Sequence, residues 1–304
     1  MKSNITASIQ DRLKNLSKNR KEEYNYVLNR YGAERLLYRL SQSPYRREYI
    51  LKGATLFKIW SGEEHRPTRD LDFLSFGSHK NIDIEHIFRE LCLIECQEDG
   101  VIFLPASVKG EIIKQDQQYE GVRIKLMGKL GSHSSHMQID IGFGDVVTPD
   151  AKEEVINTIL GMPEPVLKIY PRETVIAEKF QAIVDLGIIN SRLKDFYDIW
   201  YLCKSYEFCG DLLYQAIKNT FERRKTSIPM KEPLAFTAEF IEDPEKQRQW
   251  IAFLKKLNKD DRQPRFDEIV TTIKDFLIPP CIAITQDIGF DKVWNVTGYW
   301  HLHK

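Results

Sequence analysis

Apolar residues recur at helical spacing through residues 1–50. Ile9, Leu13 and Leu16 mark one amphipathic helix, and Tyr24, Val27, Leu28, Tyr31, Leu36, Leu37 and Leu40 mark a second over roughly 21–41. Ser43-Pro44 ends the second. Leu56, Phe57, Ile59 and Trp60 predict a short helix, and Ile84, Ile87, Phe88, Leu91, Cys92 and Ile94 predict another over 81–97. The period then changes to two. Runs at 101–105, 122–127 and 137–143 read as strands, the middle one alternating Val122, Ile124 and Leu126 with Arg123 and Lys125. Such a strand is half buried, and its basic face can line a cleft. Pro149, Pro163, Pro165 and Pro171 punctuate a stretch from Thr148 to Arg172 that reads as a connector. Beyond it the helical period returns. Thr174 is an N-cap candidate, Val175, Ile176, Phe180, Ile183 and Val184 share a face, and further helices are expected over 210–225, 245–257 and 266–277. The tail from Ile288 carries Trp294, Tyr299 and Trp300 and reads as an extended flap packed back on the body. The pattern predicts an α+β fold: residues 1–150 hold helices and a mixed sheet, and residues 165–304 form a helical lobe.

Composition narrows the picture only a little. The 304 residues carry 44 basic and 44 acidic side chains, so no global basic field marks a nucleic-acid binder. The five cysteines are scattered without a C-x-x-C pair, which argues against a disulfide framework or structural zinc. No apolar run approaches the ~20 residues of a membrane span, and a cytoplasmic protein without membrane contact is expected. Between Arg30 and Arg47 arginines alternate with tyrosines, a mixture that suits RNA. Tyrosines packed on the second lobe, with arginines solvated or paired with Glu22, Glu23 and Glu34, explain most of these residues more simply, leaving Arg46 and Arg47 as possible substrate contacts.

The candidate chemistry lies in LKGATLFKIWSGEEHRPTRDLDF, residues 51–73. On a strand, Asp70 and Asp72 point to one face while Leu71 and Phe73 point to the other. Two like charges that close favour a hard divalent cation with oxygen ligands, Mg²⁺ or Mn²⁺. Gly53, at the start of a helix, suits a phosphate cradle. Asp140 sits between Ile139 and Ile141, where a lone carboxylate is costly without a partner. It is the expected third metal ligand. The glycine- and serine-rich stretch at 131–136 reads as a hairpin loop.

KGATLFKIW followed by RPTRDLDF resembles the first motif of the AbiEii/AbiGii-type nucleotidyltransferase toxins, within the DNA polymerase β-like superfamily. Upstream, RLSQSPYR and the following LKGA match a run of the same family. Downstream, Thr174, Glu178, Lys179 and Phe180 match its T-x-x-x-EK-apolar motif, and RLKDFYDIW matches its basic-Asp-aromatic-Tyr-Asp motif. The resemblance implies a nucleotidyltransferase-like sheet and a toxin that transfers NMP from an NTP to an acceptor hydroxyl, with tRNA favoured and a cognate antitoxin as partner. It implies catalytic roles for Asp70, Asp72, Lys179 and Asp195, and nucleotide contacts for Gly53, Thr55, Arg66, Thr68 and Lys179. Asp195 could orient Lys179 or a substrate hydroxyl, or act as general base. Many superfamily enzymes have Gly-Ser where this chain has Gly53-Ala54-Thr55, so the Thr55 hydroxyl or backbone amides must serve. Two rival readings are transfer to a protein hydroxyl and a nucleotide-binding module without catalysis.

Overall fold

The computed structural model describes residues 2–302 except 64, 67, 69, 79, 117–118 and 258–263. Pro67 and Arg69 of the first motif lie outside the described residues. The chain forms two compact units, one of Met1–Asp145 with Ala151–Tyr170, the other of Val146–Asp150 with Pro171–Lys304.

In the first unit, α1 (Lys2–Arg20) and α2 (Tyr24–Gln42) precede β1 (Tyr49–Lys52), α3 (Thr55–Ser61), β2 (Asp70–Ser75) and α4 (Asn81–Leu93). Then come β3 (Ile102–Phe103), β4 (Lys109–Asp116), β5 (Tyr119–Leu130), β6 (His133–Phe143), β7 (Lys152–Val155) and β8 (Val166–Ile169). They build an eight-stranded sheet in the order β3-β5-β6-β2-β1-β8-β7, with β4 also on β5. β2 runs parallel to β6 and β1 parallel to β8, whereas β1–β2, β5–β6 and β7–β8 are antiparallel. This is the expected mixed sheet with flanking helices.

The alternation read from the sequence sets which face is buried. Val122, Ile124 and Leu126 are buried on β5, as are Leu71 and Phe73 on β2, each worth about 1.5–3 kcal/mol when fully buried. Three features differ from the expectation. The stretch at 131–136 is mostly strand, because the turn is confined to Gly131 and Ser132 and His133 already pairs with Leu130. β4 has a strand that periodicity did not mark. The stretch read as a connector supplies β7 and β8, with Leu167, Ile169 and Tyr170 buried.

The arginine- and tyrosine-rich helix is core. Arg39 is 2 % exposed; it donates to Asp99 from two nitrogens, at 2.7 and 3.3 Å, and to the carbonyls of Ile94 and Val101. Arg35 is fully buried and donates to the Pro163 carbonyl.

The second unit contains α5 (Arg172–Leu186), α6 (Leu193–Ser205), β9 (Phe208–Cys209), α7 (Gly210–Arg223), α8 (Ala238–Glu242), α9 (Pro244–Lys256), α10 (Phe266–Thr285), β10 (Lys292–Trp294) and β11 (Trp300–Leu302). Thr174 is not an N-cap. Its hydroxyl donates to the Thr148 carbonyl and accepts from the Thr148 amide, which ties residues 146–150 to this unit. α10 runs through Pro279 and Pro280, past the end expected at 277. Its last turns bury Cys281 and Ala283, and that packing outweighs the proline penalty of about 3 kcal/mol each in a helix interior. The aromatic tail packs back on this unit as two strands. It closes a three-stranded sheet, and the Trp294 indole is fully buried and donates to the Cys203 carbonyl at 2.7 Å. Among the described residues no helix is long and apolar enough to cross a membrane.

Candidate active site

β2 carries Asp70 and Asp72 on the half-exposed face of the sheet, while Leu71 and Phe73 enter the core. Asp140 on β6 lies in register with Asp72, so all three carboxylates share one face. Gly53 follows β1 with φ +79°, a conformation that suits glycine, and a Cβ there would collide with the Asp72 carboxylate. The missing side chain is what lets the Asp72 carboxylate seat against this turn. α3 has only seven residues, so the turn at Gly53 rather than a long helix dipole must serve any phosphate.

Asp140 already has a partner. Arg123, opposite it on β5, donates to both of its oxygens at 2.8 and 2.7 Å, and this hydrogen bond raises the arginine pKa. Among the described residues no group of three His, Cys, Asp or Glu side chains is arranged to hold a metal. The expected carboxylate triad is thus brought to one face, but Asp140 is held by a guanidinium. The donor set of Asp70 and Asp72, hard oxygens on adjacent same-face positions, still fits a divalent cation.

A cavity of about 130 Å³ opens beside these residues, lined by Thr55, Arg66, Thr68 and Asp70 and by residues of α2. The structure thereby gathers most of the expected nucleotide-contact residues around one space, and Gly53 lies just before it in the chain. Glu34 of α2 is buried and accepts from Lys58 at 3.0 Å and from the Ile159 amide at 2.9 Å. Burial pushes the Lys58 ammonium below its usual pKa, with Glu34 acting against that.

The profile of the family described as the nucleotidyl transferase AbiEii toxin of type IV toxin–antitoxin systems matches residues 35–272. The chain belongs to that family. It is therefore a nucleotidyltransferase of the AbiEii toxin family. No curated protein matches the sequence. Two solved structures are similar. JHP933 from Helicobacter pylori is 20% identical with a TM-score of 0.44, over 85% of this chain and 90% of that one. A candidate nucleotidyltransferase from H. pylori is 20% identical with a TM-score of 0.42, over 84% and 90%.

In the second unit, Lys179 of α5 donates to Asp195 at 2.6 Å and pairs with Asp198 at 2.8 Å. Arg192 takes the other Asp195 oxygen at 2.7 Å. Both carboxylates are fully buried and sit one helical turn apart on α6. Burial works to raise the Asp195 pKa, but the charges of Lys179 and then Arg192 prevail and hold it below the usual range. With both oxygens engaged and its proton affinity lowered, Asp195 is suited to orienting Lys179 and poorly suited to act as a general base.

Sequence reasoning missed Lys52. It lies opposite Asp72 on β1 and reaches Asp145 at 3.2 Å, both side chains being about nine-tenths buried. A lysine closing the apolar run YILK, directly before the cradle glycine, was the available signal. Glu34 and Lys58 carried none, because their meeting joins α2 to α3.

Proposed function

We propose that this chain transfers a nucleoside monophosphate from an NTP to an acceptor hydroxyl, with tRNA as the favoured acceptor. The observation that carries the proposal is the same-face pair Asp70 and Asp72, with Asp72 packed against the Gly53 turn. Asp70 and Asp72 would hold a divalent cation, Mg²⁺ or Mn²⁺. Asp140 joins them only in exchange for Arg123. Held there, such a cation would supply charge neutralisation for the triphosphate. The acceptor oxygen bonds to the α-phosphorus, the α–β phosphoanhydride bond breaks, pyrophosphate leaves, and the hydroxyl proton passes to solvent.

The chain's own groups hold the nucleotide. The Gly53 backbone and Thr55 hydroxyl face the phosphates, Arg66 supplies a fixed positive charge, and Thr68 supplies a hydroxyl beside Asp70. Lys179, the catalytic lysine that its motif implies, is held within the second unit by Asp195 as its positioning partner. The toxin family supports an antitoxin as the binding partner.

Incubation with each α-³²P-labelled NTP and total tRNA in Mg²⁺ tests the reading. Label on tRNA that is lost in Asp70→Asn and Asp72→Asn, with the fold intact by circular dichroism, is expected. Label on protein bands instead would replace RNA with a protein acceptor. Full incorporation by Asp70→Asn would sink the assignment of the metal site.

A further inference from the structure

The cavity beside Asp70 is larger than metal ligation and phosphate contact require. It is lined by Thr68 and Asp70, by Tyr26, Asn29 and Ala33 of α2, and by Ile59 of α3. The lining mixes apolar Ala33, Leu37 and Ile59 with the charged Arg30, Glu34, Lys58 and Arg66, so a flat organic ring can pack on the first set while polar groups fix its edge. Asn29 contributes an amide able to donate and accept at once, the chemistry that reads a base edge. Tyr26 contributes an aromatic ring, on which bases stack. None of α2's lining residues belongs to the carboxylate and phosphate machinery, yet the cavity is continuous with Asp70. All of these residues belong to one compact unit.

We infer that this cavity is a nucleobase pocket, with Tyr26 and Asn29 as its recognition residues and Ala33 as the small side chain that keeps it open. The inference rests on the proposed reaction, because that reaction brings nucleotides to Asp70. The base has two sources, the incoming NTP or the terminal nucleotide of the RNA acceptor, and the chemistry of recognition is common to both.

The test uses the full chain with Ala33→Phe, which fills the cavity, and Asn29→Ala, which removes the reading amide. Titration calorimetry measures four α,β-methylene nucleoside triphosphates, inorganic tripolyphosphate and a tRNA transcript, all in Mg²⁺. If the NTP base occupies the pocket, both variants weaken the methylene nucleotides by about tenfold or more and leave tripolyphosphate unchanged. In Asn29→Ala the ranking of the four bases also narrows. If the acceptor base occupies it, the nucleotides bind as before and the tRNA transcript weakens by a similar factor. Unchanged binding of all three ligands in both variants, each folded by circular dichroism, would overturn the pocket. These are binding readouts, so a chain that transfers no nucleotide would defeat the proposed reaction without deciding the pocket. Conversely, active transfer with an indifferent cavity would defeat the pocket alone.

Discussion

At the scale of single residues, steric exclusion and charge pairing set what the site can do. Gly53 has φ +79° and faces the Asp72 carboxylate where a Cβ would stand. Gly53→Ala is therefore expected to lower nucleotide transfer by about a hundredfold, through a shift of Asp72 of the ångström kind that costs such factors. It should also cost roughly 1 kcal/mol or more of stability in urea denaturation. Near-normal activity in that variant would mean the carboxylate does not need its present seat. Asp195 gives a pH prediction. Its folded pKa is depressed, so on acidification the unfolded chain takes up the proton first, and stability falls as pH drops below the unfolded value of about 4. That contribution is complete above this range and lost as pH passes the folded pKa. Asp195→Asn should flatten the acid limb of stability against pH. It should also cost roughly 3–5 kcal/mol at neutral pH, since Lys179 loses a buried partner. Arg192, at 36 % side-chain exposure, adds less to that loss.

At the scale of elements, α2 shows how a motif that looks suited to RNA becomes structure. Arg39 crosses from the helix to the segment after α4, satisfying Asp99 and two backbone carbonyls inside the core. Arg39→Ala leaves Asp99 buried and uncompensated. A loss of roughly 3–5 kcal/mol is expected in chemical denaturation, while the salt dependence of binding to the proposed tRNA acceptor stays that of the wild type. A reduced salt slope without a loss of stability would return Arg39 to RNA contact. The helices and the alternation of β5 were legible because side-chain period alone betrays them. β4 was not, because Ile112 is 67 % exposed and Ile113 adjoins it, so no clean two-residue rhythm appears.

At the scale of the whole molecule, chain order and compact units do not coincide. β8 lies parallel to β1, pairing Leu51 with Ile169, and the Tyr170 amide donates to the Leu51 carbonyl at 3.0 Å. A fragment of residues 1–150 lacks this strand and bares β1 as an edge; a fragment of residues 1–170 retains it. The longer fragment is expected to be monomeric in size-exclusion chromatography and to melt cooperatively. The shorter one should aggregate or melt at a clearly lower temperature. Equal melting of the two would show that β7 and β8 contribute nothing to the unit.

The sequence by itself determined what local chemistry can encode: the α+β class, the same-face Asp70 and Asp72, the glycine before α3, and the motifs bearing Lys179 and Asp195. Each depends on spacings of a few residues, where backbone geometry fixes direction. Only the tertiary structure decided the partners. Asp140 met Arg123 through β5–β6 register, Lys52 met Asp145 across 93 positions, and Lys179 met both acids of α6. The cavity between α2 and α3 likewise exists only once the chain has folded. A buried charge needs some counter-charge, and sequence states that need. Which residue answers it depends on long-range packing, which no local period records.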